Sequence, residues 1–179
     1  MATLAEYDEV VLWFEFDLFC QTNLWLLLHK LAAAPPQVRL SLVSPGSVPG
    51  IEPFYTMGQL SPHQLMDLFA ERVPITPEVI AEGRAVWTAH AQADPEALLA
   101  FAQRVLNQLR HLPAAVMAHL YRFPAPADGL NTVERTLLRE LTVQSLPFRK
   151  LFRRILLGHR KYGVGGLQVE RYLAVTCRA

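Results

Sequence analysis

Cysteine is scarce in this 179-residue chain: there are two, Cys20 and Cys177, far apart and each among apolar neighbours. A disulfide framework needs more, so a reducing compartment, the cytoplasm, is the expected setting. Long hydrophobic runs are missing as well. The greasiest stretch, residues 24–34, carries His29 and Lys30 and falls short of the ~20 apolar residues of a membrane span. The opening residues, MATLAEYDEV, are acidic and lack the basic and apolar regions of a secretory signal. No membrane partner is therefore expected. Charged residues are only 18% of the chain against 51% hydrophobic ones, which excludes an intrinsically disordered segment and fits a buried core. Catalytic signatures are also absent. The histidines at 29, 63, 90, 111, 119 and 159 show neither HxxxH nor HExxH spacing, so no metal is expected. No serine sits in a nucleophile elbow and no phosphate loop occurs. YGVGG lacks the third glycine of a dinucleotide fingerprint and reads as a turn, so no cofactor is expected. No catalytic residue is assigned, and whether the chain is an enzyme is left open.

What is present has a legible order. Residues 9–16 (EVVLWFEF) and 38–44 (VRLSLVS) are β-branched and aromatic runs, the second bounded by Pro35-Pro36 and Pro45-Gly46. The Leu- and Ala-rich stretch 18–34 between them has helical composition, which makes a βαβ unit and a parallel strand pair. Residues 47–58, with two prolines and two glycines, read as a long loop of the kind that serves a site. Thereafter Ser61-Pro62, Thr76-Pro77 and Asp94-Pro95 each put a cap residue before proline at a first helical position, and Leu112-Pro113 does so without the cap. Helices are expected at 62–71, 77–91, 95–110 and 113–122. FPAPADG, residues 123–129, reads as a linker. Beyond it Asn131 and Glu134 form a capping box, and a second helix opens at 145–147. In that helix Phe148, Leu151, Phe152, Ile155 and Leu156 recur at helical spacing. LQVERYLAVT reads as a short helix or a strand. The fold class expected is α/β, a small parallel sheet built on the βαβ unit with a predominantly helical C-terminal two-thirds. It divides into an α/β domain over 1–128 and a basic helical segment, helix-turn-helix-like, over 129–179. A two-strand parallel sheet with open edges is not expected to stand alone, so a further strand or a second copy, a homo-oligomer, should complete it.

Alternation along a strand puts Glu15 and Asp17 on one face at its carboxyl end, where open parallel sheets bind ligands. Gln21 lies one helical turn further and reaches the same crevice. These three are the candidate ligand-binding residues for a small molecule. Two carboxylates and an amide suit a hydroxylated, basic or metallic ligand. The structural alternative is that Asp17 caps the helix and Glu15 pairs with a neighbouring cation.

The segments LWFEFDLFCQ, LSLV, PGIEPFYTMGQLSPHQL and DGLNTVERTLLREL, in that order, resemble the bacterial domain-of-unknown-function family numbered 1835 (DUF1835) over most of the chain. The strand motif and GQLSP are the specific parts. The family's strand motif resembles Trp-Phe-Glu-His-Asp with a further Asp-Gln one turn on. Trp13, Glu15, Asp17 and Gln21 match it, while Phe16 stands at the histidine position and Cys20 at the later aspartate position. The resemblance thus implies a site that lacks the residue best suited to proton transfer near neutral pH, a ligand-binding or non-catalytic enzyme-like pocket. It also implies a preceding α/β segment, which relatives carry.

The net charge of +1 conceals an asymmetry. Residues 1–128 hold 7 Lys+Arg and 13 Asp+Glu, net −6, and residues 129–179 hold 10 and 3, net +7. Arg149, Lys150, Arg153, Arg154, Arg160 and Lys161 are the candidate nucleic-acid-binding residues of the alternative reading, in which lysines and arginines meet phosphates. No recognition-helix cluster of Asn, Gln or Arg accompanies them. The competing use of the charge is docking on the acidic part of the same chain, with an anionic small ligand or a membrane surface as lesser readings.

Overall fold

A computed structural model describes residues 4, 6–33, 37–104 and 108–176. The protein is α/β: a small sheet on one βαβ unit, with helices making up most of the rest. Strand β1 (Glu9–Trp13) leads through helix α1 (Leu18–Leu31) to β2 (Arg39–Val43), and the two strands pair in parallel with Glu9 opposite Arg39 and Trp13 opposite Val43. The sheet is mixed, because a two-residue β3 (Val73–Pro74), not expected from the sequence, adds antiparallel to β2. Its proline, which ordinarily argues against a strand, is tolerated because β3 lies at the sheet edge. The expected first strand is also shorter than its apolar run. The last rung is the bond from Phe14 N to the Val43 carbonyl, so Glu15 and Asp17 stand on the connection into α1 and not on a strand face.

The helices start where their caps are spelled. Asp17, Ser61, Thr76, Asp94 and Asn131 each accept a bond from a backbone N–H of the first turn of α1, α2 (Pro62–Ala70), α3 (Pro77–Ala91), α4 (Pro95–Ala102) and α6 (Thr132–Val143). Ser61 with Gln64, and Asn131 with Glu134, close complete capping boxes. Helix α5 (Leu112–Leu120) begins at an uncapped His111 with Pro113 in its first turn. Helix α4 ends at Ala102, short of the expected 110, where Arg104 N bonds back to the Phe101 carbonyl in a tight turn. The stretch after YGVGG is helical, α8 (Gly166–Thr176), and α7 spans Phe148–Gly158. Pro35-Pro36, Ala34, the 105–107 part of the expected fourth helix and Cys177 lie outside the described residues. Among the described residues no helix is long and apolar enough to cross a membrane.

Helix α1 packs chiefly on α3. Trp25, Leu28 and Val86 are wholly buried there, each large apolar side chain stabilising the fold by roughly 1.5–3 kcal/mol. The approach is close at Gly83, where an added Cβ would stand 2.4 Å from Leu28 Cβ. The apolar core continues from this contact through Leu112 and Val116 of α5 to Val133, Leu137, Leu151, Ile155 and Val169 of the C-terminal helices. The linker-like stretch 123–129 is itself bonded, with Gly129 N to the Ala125 carbonyl and Arg135 on Asp128.

Candidate functional site

The structure brings Glu15, Asp17 and Gln21 together at the carboxyl end of β1. Each is engaged. Glu15 Oε1 accepts from Thr56 Oγ1 at 2.6 Å and from Met57 N at 2.7 Å, fastening the long loop to the strand end. Asp17 Oδ1 caps α1 by accepting from Cys20 N at 3.1 Å. Gln21 is 1% exposed and its Nε2 donates to the Glu15 carbonyl at 2.7 Å, so it props the connection from beneath. Beyond Glu15 the loop is ordered by its own box: Thr56 and Gln59 cap a 3-10 turn at Met57–Gln59. One donor atom from each of Glu15, Asp17 and Cys20 lies within 4.8 Å of the others, a set of two carboxylates and a thiol that a divalent cation accepts. Burial, with Asp17 beside it, pushes the Cys20 thiol up to about 12, and the carboxylate oxygens already accept bonds that hold the fold.

The basic segment reaches the same end of the sheet. A 3-10 turn, Arg160–Tyr162, packs against α1 and α5, and Tyr162 is 3% exposed. Gly163 then takes φ +60, and a Cβ there would fall 2.3 Å from Asp17 Oδ1, so glycine is needed both for the left-handed turn and for the approach to the α1 cap. Arg160 Nη1 donates to the Phe54 carbonyl, and its guanidinium lies 5.1 Å from the Tyr55 ring centre and 5.7 Å from that of Phe16. At the sheet end the basic segment is thus held by rings and a backbone carbonyl, while Arg135 makes a carboxylate pair with Asp128 across the charge boundary.

Phe16 is the hinge of this arrangement. Its ring centre is 6.2 Å from those of Phe54 and His111. His111 Nε2 donates to the Ser44 carbonyl at 3.1 Å, because a carbonyl can only accept, and this fixes the proton on Nε2. Burial outweighs that bond and holds the imidazole below its ordinary value. Arg110 Nη2 donates to the same carbonyl. An added Cβ on Gly46 would come 2.8 Å from His111 Cε1, so the turn after β2 fits against the ring. The result is a histidine, supplied by the start of α5, whose Nε2–H is committed to Ser44 and whose ring lies beside Phe16. Beside these residues an open cleft of about 490 Å³ is lined by Gly46, Ser47, Ile51, Glu52, Phe54 and Arg160.

The other cations of the basic segment behave differently. Arg154 Nη1 pairs with Glu140 at 2.6 Å, and Lys161 lies over the rings of Tyr121 and Tyr162. Arg149, Lys150 and Arg153 are exposed on α7 and have no ion pair among the described residues. Of the six cations, Arg160 and Lys161 therefore meet residues of the 1–128 part, Arg154 pairs within the basic segment, and Arg149, Lys150 and Arg153 face solvent.

Sequence reasoning missed His111, Phe54 and Thr56. Only Thr56 left a local sign, the T-x-x-Q spacing of a capping box. His111 and Phe54 reach Phe16 through packing across the chain. No protein-family model, no curated protein and no solved structure matches this chain.

Proposed function

We propose that the chain is a small-molecule-binding α/β domain, non-catalytic or enzyme-like, whose ligand occupies the cleft between the 46–54 loop and Arg160. The carrying observation is the Arg160 guanidinium, oriented by the Phe16 and Tyr55 rings and by the Phe54 carbonyl, beside an open cleft at the carboxyl ends of β1 and β2. Crevices at that end of parallel strands are the usual ligand sites of α/β folds. One bond to a carbonyl leaves further guanidinium N–H groups for an anionic group, in fork geometry suited to carboxylate or phosphate. Ser47 and Glu52, which also line the cleft, bring oxygens able to accept from hydroxyl or amino groups. In this reading Glu15, Asp17 and Gln21 serve the ligand indirectly, by fixing the loop, the α1 cap and the connection between them. The resemblance of the strand motif to DUF1835 supports a site in the same place, and the scarcity of cysteine supports a cytoplasmic setting. A thermal-shift titration with inorganic phosphate and with small mono- and dicarboxylates tests the proposal. A saturable rise with at least one probe, lost in Arg160→Gln and kept in Arg149→Gln, is expected. Equal responses in the two variants, or none in the parent protein, would overturn it.

A second reading, nucleic-acid binding, rests on Arg149, Lys150 and Arg153 of α7, which are exposed and have no ion pair among the described residues. Anisotropy titrations with a duplex at two salt concentrations decide it, since phosphate contacts require a steep loss of affinity with salt.

A further inference from the structure

The two edges of the sheet are finished differently. At the β3 edge the strand is two residues long and one of them is Pro74, which has no N–H to offer. The β1 edge is five residues, EVVLW, with no proline, glycine or lysine. In the parallel ladder the Asp8 carbonyl accepts from Arg39 N and Phe14 N donates to the Val43 carbonyl, so the even-numbered residues face β2. The N–H and C=O of Glu9, Val11 and Trp13 point the other way, and among the described residues nothing bonds them. Side chains follow the same alternation. Leu12 is in the core with Val10 and Phe14 packed against it, whereas Val11 and Trp13 are only half-buried and lie outside it.

We infer that this edge is closed by a second copy of the chain, β1 pairing antiparallel with the partner's β1 about a two-fold axis through Val11. In that register Val11 exchanges both bonds with the partner's Val11, and Glu9 and the partner's Trp13 do the same, so every outward group at the edge finds its complement. The side chains agree. Val11 and Trp13 of both copies form one apolar strip across the junction. Glu9 stands opposite the partner's Trp13, not the partner's Glu9, and its own charge is held by Arg72 at 2.9 Å and by Ser41 Oγ at 2.6 Å. Antiparallel pairing is also the arrangement a two-fold axis closes, where a head-to-tail one would propagate. The 3-stranded sheet of each copy thereby becomes half of a continuous one.

Sedimentation velocity over a concentration series tests this on the full chain. The parent protein is expected to sediment as a dimer. Val11→Lys sets two ammonium groups against each other on the axis and is expected to sediment as a monomer with unchanged circular dichroism. Hydrogen exchange gives an independent reading should that variant misfold: the Glu9, Val11 and Trp13 amides are slowed in the parent protein as concentration rises. A parent protein that stays monomeric, a dimer that survives in folded Val11→Lys, or fast exchange at those amides at every concentration would overturn the inference.

Discussion

Glu15 places two hydrogen bonds on a single carboxylate oxygen, and both end on the loop that walls the cleft. Glu15→Ala is accordingly expected to cost about 1–3 kcal/mol in chemical denaturation and to speed exchange of the Met57 amide, since that N–H loses its acceptor. Gly163→Ala should be at least as damaging, because a methyl group there meets Asp17 Oδ1 and the backbone sits at positive φ. A melting temperature within error of the parent protein would show that the basic turn does not bear on the α1 cap. At this scale the sequence is informative about local chemistry and silent about encounters. Asp17 as a cap follows from its place before LFCQTNL, and Asn131 with Glu134 from their spacing, since both bonds close within one turn. Arg160 over Phe16 joins residues 144 positions apart, and His111 beside Phe16 joins two elements with no shared motif. Such contacts arise from packing, which no periodicity records.

Among the elements, the α1–α3 contact is the tightest. Gly83→Ala would gain up to about 1 kcal/mol of helix propensity, yet it drives a methyl group into Leu28. Overpacking of that kind typically costs about 1–3 kcal/mol, so a net loss of stability is expected on urea titration, and a gain would mean that the helices separate freely. The βαβ order, the parallel pair and most helix starts were legible, because caps and apolar runs are written locally. β3 was not, since two residues including a proline carry no strand signal and pair only because β2 offers an edge. The end of α4 was equally silent: no breaker stands at Ala102, and the chain turns where Phe101 enters the core.

For the molecule as a whole, acid is the informative stress. His90, His111, His119 and His159 are all held below the ordinary imidazole value, chiefly by burial. His119, its ring 4.6 Å from that of His90, is pushed down to about 4. An unfolded imidazole titrates near 6.5, so between about pH 6.5 and about 4 the unfolded chain binds protons that the fold refuses. That stability is complete above the window and drains as pH falls through it. Glu9 and Asp128, lowered to about 2 by hydrogen bonds from Arg72 and Arg135, add a second loss beginning below about 4.5. Melting temperature is therefore expected to fall from neutral pH downward, with a shallower slope in His119→Phe; an unchanged slope in that variant would remove His119 from the account.

The charge asymmetry bears on the same scale. A net +7 segment beside a net −6 one suggested either mutual docking or a polyanion partner. The +7 segment meets the rest of the chain through the Arg135–Asp128 pair and, at the sheet end, through Phe16, Tyr55 and the Phe54 carbonyl, which leaves Arg149, Lys150 and Arg153 in solvent and Arg160 beside the cleft. The central claim, that a small anionic molecule is received there, is tested most directly by following backbone amide chemical shifts while inorganic phosphate and a dicarboxylate such as succinate are titrated in. Saturable shifts concentrated at Gly46, Ser47, Glu52, Phe54 and Arg160 are the predicted result, and shifts confined to α7, or spread without saturation over the basic surface, would contradict it.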